Sequence, residues 1–141
     1  MDFALVATGV QLSPLFRDSG LPVGDDLGLR VDRHLQCPAC SGMFGGGDCV
    51  SFEPEPLDKV GVVANRQNPV LYHNLRVALS GAGRLQAFEH DPAYSLMFNL
   101  GDGSALWWRG RLAWKGRIPF LLKNAIDRRF MRRYRNSETH L

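Results

Sequence analysis

Long apolar runs are missing from this sequence. None approaches the roughly 20 residues that a membrane-spanning helix needs. The first seven residues, Met1 to Ala7, have no basic lead-in and no long apolar core, so they do not read as a signal peptide. Cysteine is scarce, with Cys37, Cys40 and Cys49 alone. An odd count without a secretion signal argues against a disulfide framework. A cytoplasmic protein is expected. There is no P-loop, no nucleophile-elbow serine and no paired-carboxylate motif, which leaves kinase and hydrolase chemistry without a basis. The G-x-G-x-x-G fingerprint of dinucleotide binding is absent too. No repeat or low-complexity stretch is present.

What remains is ordinary globular material of one-domain size. The 141 residues are 45% hydrophobic and 22% charged. The net charge of +3 hides a division. Residues 1–108 carry 7 basic and 12 acidic side chains, a charge of −5. Residues 109–141 carry 10 and 2, a charge of +8. The basic character therefore belongs to the last quarter. It suits a solvated helix, an acidic partner or an anionic membrane surface. No nucleic-acid partner is expected.

Along the chain, residues 3–7 (Phe-Ala-Leu-Val-Ala) form a short apolar run that suits a buried strand. Residues 10–27 read as loop with one helical turn near Pro14. Leu29 to Asp32 alternates and suits a short strand. Residues 36–42 read as a turn. Met43 and Phe44 then suggest a second strand ending on Gly45, Gly46, Gly47 and Asp48. Residues 51–58, with two prolines, read as a loop. A helix is expected from an Asp58 cap, interrupted at Pro69 and stopping before Gly81. Tyr94–Leu100, Ala105–Trp108 and Arg111–Trp114 predict an antiparallel meander. Residues 119–135 predict a last helix.

The fold class implied is mixed α/β (α+β). It comprises a partial layer of strands plus one long helix over 1–80, then a meander and basic helix over 81–141. Half a layer beginning inside a strand is expected to expose apolar surface or to associate.

The local motifs are weak one at a time. Gly47 at a strand end permits close backbone approach, and Asp48 can accept from sugar hydroxyls. A following helix N-terminus offers free N–H groups. Ala7, Thr8 and Gly9 read equally as a plain strand exit. Cys37-Pro38-Ala39-Cys40 fits a redox dithiol, half a zinc site with His34 and Cys49, or incidental thiols in a turn. Gln67 shares a helical face with Val63. Trp107, Trp108 and Trp114 suit core packing first, and a partner or membrane interface next. The last helix places Ile118, Leu121, Leu122, Ala125, Ile126 and Phe130 on one side. That face suits docking within its own protein or a membrane surface.

The order of these motifs resembles a known family. Phe3 to Gly9 is similar to the "ATG" strand of pyridine nucleotide-disulfide oxidoreductase-like flavoproteins. Gly28–Asp32 with Leu35-Gln36 resembles the hairpin that follows. Met43 to Cys49 resembles the "G-D" strand, and Lys59 to Gln67 the helix entrance beside the flavin. Asn74-Leu75 fits the late "N-L". Leu122 to Tyr134 resembles the ending of type II NADH dehydrogenase-like proteins, closest to the flavoprotein module fused to selenide, water dikinase. The resemblance spans residues 2–135.

It implies the C-terminal part of an FAD-dependent NAD(P)H oxidoreductase passing electrons to a quinone or similar acceptor, inactive alone. Asp48 would bind the ribitol of FAD beside Gly47. Gly61 and Val62 N–H groups would face the flavin. Thr8 and Gly9 would line the nucleotide side, and Gln67 an acceptor pocket. The implied partners are an N-terminal FAD/NAD-binding portion or chain, a second copy, and a peripheral contact with the inner membrane face through residues 117–135. Gly45-Gly46 and Asn124 depart from the family pattern. The family's dithiol lies elsewhere, so Cys37 and Cys40 inherit no role. The other reading is a non-catalytic binding or dimerisation module that no longer binds FAD.

Overall fold

A computed structural model describes residues 9–135. The expected strand at 3–7 and the Thr8 site lie outside the described residues. The chain is mixed α/β and divides into two compact units, residues 1–90 and 91–141.

In the first unit a short helix, α1 (Leu15–Asp18), precedes strand β1 (Leu29–Val31). Strand β2 (Val50–Phe52) pairs with β1 in parallel, Leu29 opposite Val50 and Val31 opposite Phe52. Parallel strands need a crossover. Here it is a hairpin tied at Gln36 and Phe44, followed by a 3-10 turn at Gly47–Cys49. Asp32 organises the hairpin's first bend. Its Oδ1 accepts the N–H groups of His34 and Gln36 at 2.8 and 3.1 Å. Leu35, at the bend, has a φ of 59° and is fully buried. Its apolar burial offsets the cost of a left-handed non-glycine residue.

The expected loop at 51–58 therefore begins as strand β2. The two prolines fall after the strand, so they never had to donate to its ladder. The expected strand at 43–48 reduces to a single bridge and a 3-10 turn. Gly47 at φ 78° turns the chain out of extension.

Helix α2 (Gly61–Ser80) runs unbroken for 20 residues. Its cap is Val60, with no side-chain capping bond, rather than Asp58. The Val60 carbonyl itself takes the Val63 and Ala64 N–H groups. Pro69 sits inside the helix on its exposed side. Its missing N–H leaves the Asn65 carbonyl without a helical donor. Gly81, left-handed at φ 66°, ends the helix by donating to Val77 O at 3.0 Å.

The core gathers Leu29, Val31, Leu35, Val50, Phe52, Val70 and Phe88. Phe52 and Phe88 meet edge to face at 5.7 Å. Asn74 of α2 is fully buried. It donates to the carbonyls of His34 and Gln86 at 2.7 and 2.8 Å and accepts from Gln86 N–H at 2.7 Å. One amide thus ties the helix to the β1 hairpin and to the segment leading to Phe88.

In the second unit, β3 (Leu96–Asn99), β4 (Ala105–Arg109) and β5 (Leu112–Gly116) form an antiparallel meander. Gly101, Gly103 and Gly110 hold the left-handed turn positions. Helix α3 (Arg117–Arg135) packs on this sheet. Pro119 falls in its first turn, where no N–H partner is needed. The least exposed positions of α3 are Pro119, Phe120, Lys123 and Asn124. The expected apolar face is instead open, with Ile118, Leu121, Leu122, Ile126 and Phe130 all exposed. The tryptophans differ from expectation as well: Trp107 is partly buried, and Trp108 and Trp114 are about half exposed. Three strands and one helix have too little area to cover both faces. Among the described residues, no helix is long and apolar enough to cross a membrane.

Candidate functional site

Two glycines bring the end of the hairpin against α2. A side chain at Gly46 would press on Leu71 and Gln67, at 3.2 and 3.4 Å. A Cβ at Gly47 would sit 3.5 Å from Ala64, in a left-handed conformation that favours glycine. Gln67, one turn further along the helix, is almost wholly buried. Its amide oxygen accepts the Gly47 N–H at 2.5 Å. The bend carrying Asp48 is thereby fixed to the helix.

Lys59 secures the other side. Its ammonium donates to the carbonyls of Asp48 and Val50 at 2.9 and 3.1 Å and pairs with Asp26 at 2.9 Å. Burial by itself would raise the Asp26 carboxyl. The Lys59 hydrogen bond and charge, with the Gly28 N–H, outweigh it and hold the carboxyl below its usual range.

A cleft of about 320 Å³ opens between these parts. Gly46, Gly47, Gly61, Ala64, Asn65, Gln67, Asn68 and Leu71 line it. The Gly61 and Val62 N–H groups, in the first turn of α2, have no partner inside the helix. Space is open beside Gly61, where an added Cβ would meet nothing within 4 Å. The cleft thus combines small residues, a helix N-terminus and one fixed amide.

The structure therefore brings Gly47, Gly61 and Gln67 together. Asp48 and Val62 adjoin the cleft in sequence without lining it. The Asp48 side chain is exposed. Gly9 is exposed and does not line the cleft. Sequence reasoning missed Lys59, whose partners are 9 and 11 residues back and on the Asp26 loop. It missed Ala64, whose signal was a position one turn from both Gln67 and Gly61, and Asn68, one turn beyond Ala64. It also missed a second cavity of about 420 Å³ beside Asp26, Arg30, Ser51 and Glu53. Among the described residues no three or more His, Cys, Asp or Glu side chains gather to hold a metal. No protein-family model and no curated protein matches the chain.

Proposed function

We propose that this chain supplies the C-terminal share of the flavin site in an FAD-dependent pyridine-nucleotide oxidoreductase of the NADH dehydrogenase-like kind. The observation that carries the reading is the cleft, where the glycine pair after the hairpin meets the open N-terminus of α2. Its volume, about 320 Å³, is at the low end of ligand pockets, roughly 300–1,000 Å³. It suits one edge of a planar ring, not a whole dinucleotide. The missing glycine fingerprint, which would hold the pyrophosphate, then belongs to an N-terminal portion or a partner chain.

The residues present fit such a group. The Gly61 and Val62 N–H groups offer donors and the positive end of the helix to an electron-rich ring edge. Gly47 lets the backbone come close, and the exposed Asp48 carboxylate is free to accept from ribitol hydroxyls. Gln67 holds the bend in place and borders the side where an acceptor would approach. When bound, FAD supplies the hydride and electron transfer, and the protein supplies position and electrostatics. The open face of α3, apolar then basic, supports a peripheral contact with an acidic membrane surface.

The test is flavin retention. The chain is mixed with excess FAD, alone and with an N-terminal flavin-domain partner, then desalted. The chain alone is expected to lose the flavin bands, and the complex to keep them. Asp48→Ala in the complex should weaken retention roughly tenfold, the worth of a hydrogen bond or two. A folded complex that stays colourless would overturn the reading and leave a non-catalytic binding module.

A further inference from the structure

The cysteine pair Cys37-Pro38-Ala39-Cys40 takes no part in the cleft. It forms the tip of the hairpin between Leu35 and Gly45. The Cys40 N–H donates to the Cys37 carbonyl at 3.2 Å, closing a β-turn around Pro38 and Ala39. Pro38 occupies the position where its fixed φ presets such a turn. A second turn follows at once, with the Met43 N–H on the Cys40 carbonyl at 3.1 Å. The Cys37 N–H returns to the Met43 carbonyl at 2.9 Å. The backbone around both cysteines is therefore tied on every side.

A closed β-turn holds its end Cα atoms within about 7 Å. A disulfide needs them about 4.4–6.8 Å apart. The turn thus brings the two Cα atoms into or close to that range. Cys37 lies near enough to perturb the Cys40 thiol. Both are free. Their exposure differs, Cys37 being buried at 1% and Cys40 partly open. That is the division of labour a dithiol needs: one sulfur that a reagent can reach, and one beside it that it cannot.

We propose that Cys37 and Cys40 form a modification site that closes into an intramolecular disulfide by exchange with a small-molecule disulfide, Cys40 attacking first and Cys37 resolving. The Cys40 thiol gives its proton to solvent, and the thiolate attacks one sulfur of the small disulfide. That S–S bond breaks, one small thiol leaves, and Cys40 carries a mixed disulfide. Cys37 then attacks the Cys40 sulfur, its proton passing to the departing group, so that the mixed disulfide breaks and the second small thiol leaves. The chain loses two electrons and two protons, and the small disulfide gains them. The Cys37 thiol beside it holds Cys40 above the usual thiol range, which makes the first step slow. The bond would lock the tip of the hairpin whose other end delivers Gly46 and Gly47 to the cleft. This inference does not depend on the flavin reading.

Cys49 provides the internal comparison. It is exposed, and its thiol donates to the Gly46 carbonyl at 3.3 Å. The reduced full chain is incubated with oxidised glutathione, quenched by alkylation and mapped by mass spectrometry. The expected product has a Cys37–Cys40 link and a mass lower by two hydrogen atoms at those positions. Cys49 should end alkylated or glutathionylated, never linked to either. Cys37→Ser should trap glutathione on Cys40, and Cys40→Ser should abolish the link. A stable glutathione adduct on Cys40 of the unsubstituted chain would overturn the proposal. So would a Cys37–Cys40 pair left reduced while Cys49 is consumed. These two outcomes need no variant, so a misfolded Cys37→Ser chain would not shield the proposal.

Discussion

At the scale of single residues, buried amides do more positioning here than charges do. Asn74 has no exposed surface and three hydrogen bonds, to His34 O, Gln86 O and Gln86 N–H. Asn74→Ala leaves two carbonyls and one N–H, all part-buried, without their partner. Each costs about 1–3 kcal/mol when stranded, although relaxation recovers part of that. A loss of about 2–4 kcal/mol is expected from urea unfolding. Asn74→Asp should cost at least as much, since its carboxylate keeps the Gln86 N–H but is buried against the His34 and Gln86 carbonyls, to which it cannot donate. A change below about 0.5 kcal/mol for the alanine variant would mean that water replaces the amide. Motif order pointed at Asn74 as part of an "N-L" pair, but not at this role. Its partners lie 40 and 12 residues away in sequence, and no local pattern encodes such distances. Gln67 was legible as a residue on the Val63 face of the helix. That its oxygen is taken by the Gly47 N–H follows only once the hairpin returns to α2.

At the scale of elements, local chemistry was readable where it was local. The end of α2 at Gly81 and the three strands of the meander follow from glycines that must adopt positive φ. Strand β2 was not readable, because its partner β1 lies some 20 residues earlier and the prolines after it suggest loop. The face that α3 buries was misjudged for a related reason. Spacing identifies an apolar side, but only the sheet decides which side it covers. Pro69 tests how much a local rule is worth inside a packed helix. A mid-helix proline costs about 3 kcal/mol in isolation, and part of this is offset because proline also restricts the unfolded chain. Pro69 is exposed, so an alanine there meets no packing conflict. Pro69→Ala should raise stability by about 1–2 kcal/mol, read as a higher urea midpoint at unchanged slope. A fall in stability would show that the backbone geometry Pro69 imposes is what seats Val70 and Asn74.

At the scale of the whole molecule, the charge division of the sequence and the open face of α3 describe one surface. Ile118, Leu121, Leu122 and Ile126 are more than half exposed. Arg128, Arg129 and Arg132 follow them along the helix and are exposed too. An apolar stripe that continues into arginines suits the boundary of an anionic bilayer better than water. Binding to vesicles rich in phosphatidylserine should therefore exceed binding to phosphatidylcholine vesicles, and should weaken with salt. Leu121→Glu with Leu122→Glu should reduce affinity on the order of a hundredfold, since each leucine buried is worth about 1.5–3 kcal/mol. Reversing Arg128, Arg129 and Arg132 to Glu should do at least as much, at about 1 kcal/mol for each basic charge lost. Neither set should lower the melting temperature much, because these side chains are mostly exposed. Sedimentation separates the outcomes. Pelleting without vesicles that the leucine variant cures would assign the face to self-association. Equal binding to both lipids, indifferent to salt and to charge reversal, would remove the membrane from the account of α3 and leave its open face to a protein partner.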